Sequence, residues 1–71
     1  MSSYISDLYR KLGKENLAQK LEISVRSLED KGRGYHAFSV DDLYRMHSLN
    51  IDIVRIVVEI GKKRQKNREV P

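Results

Sequence analysis

Apolar side chains recur along this chain at helical spacing. Ile5, Leu8, Tyr9 and Leu12 follow the i, i+3, i+4, i+7 pattern that places residues on one helix face. Ser2 and Ser3 precede them as N-caps, and Gly13 suits the position just past the helix end. A second helix is expected from Glu15 to Leu21, with Leu17, Ala18 and Leu21 turned inward. Glu22-Ile23-Ser24 then breaks the chain and ends in a serine able to cap the next helix. The third segment, Val25 to Lys31, has only Val25 and Leu28 as apolar contacts, so most of its circumference faces outward.

Gly32-Arg33-Gly34 stops that helix, since glycine accepts backbone angles other residues resist. The loop Tyr35-His36-Ala37-Phe38 is expected to lay its aromatic rings on the core. Ser39, followed three residues later by Asp42, forms an acidic variant of a capping box. It opens a fourth helix whose inward residues would be Val40, Leu43, Tyr44 and Met46 or His47. Asn50 and Asp52 offer a cap for a fifth, Ile53 to Ile60, with Gly61 as its stop and Ile53, Ile56, Val57 and Ile60 on its core face. The density of β-branched residues there leaves a strand as the alternative. Residues past Gly61 read as disordered. The pattern thus predicts an all-α, compact bundle of about five short helices over residues 1–61, followed by a basic flexible tail over 62–71.

Composition narrows the picture. A chain of 71 residues makes one domain, and one this short is marginally stable. It has no cysteine, so neither disulfides nor zinc–thiolate sites support it. No stretch approaches the roughly 20 apolar residues of a membrane span, and the N-terminus lacks the apolar core of a signal peptide. A cytoplasmic protein is expected. The net charge of +4 is unevenly placed. Basic and acidic residues cancel through Ile60, and the whole excess lies in Lys62, Lys63, Arg64, Lys66 and Arg68 against Glu69. A basic end favours phosphate contact, but it equally describes a solvated, frayed terminus.

The informative stretch is Leu17-Ala18-Gln19-Lys20-Leu21-Glu22-Ile23-Ser24-Val25-Arg26-Ser27-Leu28. Ala18 lets two helices cross closely, Leu17, Leu21, Ile23 and Leu28 fill the space between them, and Ser24 starts the second so that its first turn projects. This resembles the helix-turn-helix of the lambda-repressor-like (Cro-type) family. The preceding helix, the Arg33-Gly34 stop, the capped fourth helix and the lead Leu49-Asn50-Ile51-Asp52 extend the resemblance over about residues 4–60. Ser24–Leu28 and Gly34–Leu43 also look like the helix-turn-helix and wing of MerR-like regulators and excisionases, in which the segments around the wing are longer.

The first resemblance implies a transcriptional regulator, with Ser24 through Lys31 as its recognition helix in the major groove of an operator. Ser24, Val25, Arg26, Glu29 and Asp30 would reach base edges: Arg26 reading guanine, Val25 meeting a thymine methyl, Glu29 accepting from cytosine. Lys20, Ser27, Lys31 and Arg33 would hold phosphates. The chain departs from the family pattern in three respects. Glu22 stands where glycine is preferred, implying strain or a different turn. Lys31 occupies a place usually given to a core hydrophobe, and Glu29 and Asp30 put negative charge on the face meant for a polyanion.

Other chemistry is thin. His36 and His47 have no cysteine or paired carboxylate at metal spacing, no nucleophile–base–orienter set can be assembled, and there is no Gly-rich phosphate loop. Neither enzyme activity nor a cofactor, metal or small-molecule substrate is expected. The fifth segment carries more apolar surface than one face can bury, and Ile51, Val54 and Val58 are expected to form a homodimer interface, since two-fold dimers match palindromic operators. The rival reading is a helix-turn-helix-fold protein that binds a partner repressor through its acidic third helix instead of reading DNA. Size and resemblance together suggest a phage or mobile-element regulator.

Overall fold

The computed structural model of the chain describes residues 3–68. Among them are five helices and no strand: α1 (Tyr4–Leu12), α2 (Lys14–Lys20), α3 (Val25–Gly32), α4 (Val40–Ser48) and α5 (Ile53–Arg68). The all-α bundle expected from the apolar spacing is present, and the strand alternative for residues 53–60 gives way to helix. Every helix and three of the corners send side chains into one core, in which Leu17, Leu21, Leu28, Met46 and Ile56 are the most completely enclosed. None of these helices is long and apolar enough to cross a membrane.

The local signals act as their chemistry dictates. Ser3, Ser24 and Ser39 each cap a helix, their hydroxyls accepting from Ser6, Ser27 and Asp42 backbone N–H groups. Ser2, the other candidate cap, lies outside the described residues. Asp42 returns the bond to the Ser39 N–H at 3.0 Å, completing the capping box. Helices α3 and α4 end in the same closed turn. The residue past each C-cap, Gly34 or Asn50, turns to positive φ, and the next N–H reaches back to the Asp30 or Met46 carbonyl at 3.0 Å.

Distant segments close the remaining helix ends. The Glu59 carboxylate on α5 accepts from the first two N–H groups of α1, Tyr4 at 2.8 Å and Ile5 at 3.3 Å. In return the Tyr4 hydroxyl accepts from the Asp52 N–H at 2.9 Å, just ahead of α5. Lys63 donates to the Gly32 carbonyl at the end of α3, 2.9 Å away. Orphan donors and acceptors at three helix ends are thus satisfied by side chains from elsewhere in the chain.

Several expectations from the sequence are corrected. Gly61 does not stop α5: the helix runs on through Arg68, so residues 62–68, read as a flexible tail, continue it. The contacts of Lys63 with Gly32 and of Arg64 with Gly34 carry the helix past a residue that costs it about 1 kcal/mol relative to alanine. On α4 the inward residues are Asp42, Leu43 and Met46, whereas Val40, Tyr44 and His47 are exposed. Tyr35 and His36 likewise face solvent, leaving Phe38 as the loop aromatic on the core. Leu12 is exposed at the end of α1. Ile51 is buried in the core and cannot belong to an exposed dimer stripe, while Val57, assigned to the core face, lies outside.

The inward turn of α4 follows from one ion pair. Asp42 is 2 % exposed, and its Oδ2 meets Lys31 Nζ at 2.6 Å. Burial alone would push this carboxyl up, but hydrogen bonds from Lys31 and from Ser39 prevail and hold it below its ordinary 3.8. A group depressed in the folded state stabilises folding above its unfolded value and loses that contribution as pH falls through the folded one. Urea melts of wild type and Asp42→Asn between pH 7 and pH 2 should therefore differ in shape. Wild type should lose the extra increment below its unfolded carboxyl value, and the variant should show a flatter acid limb. A second variant, Glu59→Ala, opens the α1 N-terminus and should cost about 1–2 kcal/mol in the same melts at pH 7.

Candidate nucleic-acid interface

Helices α2 and α3 are joined by the four residues Leu21–Ser24. The joint closes like those after α3 and α4: the Glu22 N–H reaches the Gln19 carbonyl at 3.1 Å and the Ile23 N–H reaches Ala18 at 3.0 Å. Such a turn needs positive φ at Glu22, which is 59°. Glycine or asparagine takes that position at the other two joints, so the strain expected of glutamate is here a backbone fact. Arg45 on α4 meets the Glu22 carboxylate at 3.1 Å, but Glu22 is largely exposed and the pair contributes little.

Three residues set the orientation of α3. Leu28 and Gly32 are buried and Val25 packs partly on the core. Gly32 is required by proximity, because a methyl there would run into the Tyr9 hydroxyl on α1. That hydroxyl donates to the Leu28 carbonyl at 3.4 Å. Burial, aided by the nearby Glu29 carboxylate, pushes it above its ordinary 10.0, so it stays a neutral donor.

The charges on α3 sort themselves by side. Lys31 turns toward α4 and is held by Asp42, which explains a lysine where the resemblance implies a hydrophobe. Glu29 turns the other way and is half-buried between Lys14 Nζ at 3.2 Å and Arg33 Nη2 at 3.8 Å. The side chains left facing outward are Arg26 and, partly exposed, Ser27 and Asp30, with Ser24 at the first turn and Arg33 at the last. Lys20 is exposed at the end of α2.

Of the residues expected to touch bases, Ser24 and Arg26 are exposed and Asp30 partly so. Val25 is partly given to the core and Glu29 to its two cations. Of the expected phosphate ligands, Lys20, Ser27 and Arg33 are accessible, and Lys31 is committed inward. Two contributors are not evident from sequence reasoning. Lys14 neutralises Glu29 and sits 5.3 Å from the centre of the Tyr9 ring. Asp42 reads in the sequence only as a cap, although a lysine at a core position already signals a buried carboxylate facing it.

Among the described residues no three His, Cys, Asp or Glu side chains converge as a metal site. Glu22→Gly should remove the strained φ and stabilise the fold by about 0.5–1 kcal/mol after the added freedom of the unfolded chain is counted. A rise in the urea midpoint with unchanged slope is the expected reading, and a fall would show that the Arg45 pair outweighs the strain. No family model, curated protein or solved structure matches this chain, so a functional reading rests on its own residues.

Proposed function

We propose that this chain is a small DNA-binding transcriptional regulator, resembling the lambda-repressor-like proteins, that offers α3 to the major groove as a recognition helix. The disposition of charge around α3 carries the reading. Its acidic Glu29 is neutralised by Lys14 and Arg33 and turned from the outer side, and Lys31 is spent on Asp42. The outer side then presents Arg26 and Asp30 between a capped N-terminal turn and the exposed Arg33. Arg26 has the forked donor set that matches the O6 and N7 edge of guanine. Ser24 would reach a base edge at the first turn, and Lys20, Ser27 and Arg33 would hold phosphates. Two copies related by a two-fold axis would meet a palindromic operator in the cytoplasm.

The test is a fluorescence-anisotropy titration against DNA from the region upstream of the coding sequence, at two salt concentrations, beside Arg26→Ala. The expected result is sequence-preferring binding that weakens steeply with salt and loses about 1–3 kcal/mol of discrimination in the variant. Equal, weak binding to every duplex, unchanged by the substitution, would reject DNA reading and leave a partner repressor as the target of α3.

A further inference from the structure

One glycine has no explanation within a single chain. Gly13 and Gly34 take φ of 82° and 88°, and Gly32 is pressed against Tyr9. Gly61 lies within α5 without positive φ, and a Cβ there would meet nothing within 4 Å. Glycine weakens a helix interior, so alanine would serve a solitary chain better.

Gly61 shares its face with exposed residues. Val54, Val57, Val58 and Gly61 stand at i, i+3, i+4 and i+7, one stripe of the helix. The three valines are 67 %, 53 % and 49 % exposed. An apolar groove formed by Phe38, Leu43, Ile56 and Ile60 opens beside Val57 and Gly61. An apolar stripe with a gap in it lets a second helix approach closely and seat a ridge in the gap.

We propose that this stripe receives α5 of a second copy, crossing antiparallel, with Val54 of the partner subunit filling the space over Gly61. The stripe is complementary to itself in that arrangement. A crossing centred between Val57 and Val58 sets each against the other's counterpart, and each Gly61 faces a valine. Charge selects the direction. Lys62 and Arg64 crowd one end of the stripe, and a parallel pair would set the two basic ends side by side. The antiparallel pair separates the two Lys62 residues by about 13 Å along the helix axes, beyond the Debye length of about 10 Å at 0.1 M salt. Arg55, the cation nearer the other end, is drawn off the stripe onto the Tyr4 ring, 4.7 Å from its centre. This pairing deepens the two-fold arrangement named in the proposed function. Its test uses protein alone, so it stands or falls separately from DNA recognition.

The absence of cysteine permits a direct test of register. Three single variants, Val54→Cys, Val57→Cys and Val58→Cys, are oxidised under mild conditions. An equimolar mixture of Val57→Cys and Val58→Cys chains should form the mixed disulfide several-fold faster than Val54→Cys pairs with itself, its two sites being about 10 Å apart along the axes. In sedimentation velocity the wild-type chain should dimerise with concentration, and Gly61→Gln should weaken association at least tenfold while raising the melting temperature of the dilute monomer. Val40→Ser, at an exposed apolar residue on α4, should leave association unchanged. The proposal is overturned by a wild-type chain that stays monomeric up to about 1 mM, by undiminished association of Gly61→Gln, or by Val54→Cys cross-linking fastest, the mark of a parallel pair.

Discussion

The Glu59 carboxylate joins the first helix to the last, and the remaining geometry depends on that join. It accepts from the first N–H groups of α1 on one side and faces Lys63 at 3.8 Å on the other. Lys63 in turn donates to the terminal carbonyl of α3. Positive helix start, carboxylate, ammonium and negative helix end stand in sequence, so the terminal dipoles of α1 and α3 are answered through two side chains of α5. In a chain of 71 residues without cysteine, such a tie takes the place a disulfide holds in other small domains. It also fixes the rotation of α5. With Glu59 and Lys63 turned toward α1 and α3, and Ile56 and Ile60 toward the core, the valine stripe has no direction left but outward.

A second constraint acts between α3 and α4. Removing two charges from water is costly unless each finds its partner, and Lys31 and Asp42 meet this condition, with the Ser39 N–H donating a further bond to the carboxylate. The pair selects one rotation of α3 against α4, since any other would bury a lone charge. That rotation also sends Glu29 to Lys14 and Arg33. The outer side of α3 is therefore defined by the contacts its inner sides make, and its availability for recognition results from packing.

The features legible in the sequence and those concealed there divide along physical lines. Helix starts are legible because a serine cap acts within three residues: Ser24 and Ser39 need no tertiary knowledge. The outward Arg26 follows from the scarcity of apolar neighbours on α3. The rotation of α4 is not legible, because a buried aspartate reads as surface until its lysine is known, and the apolar pattern alone turns Val40 and Tyr44 inward. Gly61 misleads for a related reason. Glycine is a good helix stop by local chemistry, but here the contacts of Lys63 and Arg64 with residues more than 25 positions earlier overrule it. Ile51 and Val57 exchange places between core and surface because an apolar residue carries no mark of which side it faces.

Local and global preferences agree over most of this chain, as a foldable sequence requires. Two positions break the agreement. Glu22 holds a backbone angle suited to glycine, and Gly61 holds a helical angle suited to almost anything else. Each would be improved locally by a single substitution, and neither is compensated by a strong contact within the chain: Glu22 has one exposed ion pair and Gly61 has no neighbour at its missing Cβ. Departures of this kind concentrate where something other than the fold of one molecule sets the residue. The two positions sit at the entrance to α3 and on the outward stripe of α5. If α3 meets DNA and α5 a second copy of the chain, the stability lost at each position is the consequence of keeping those surfaces accessible.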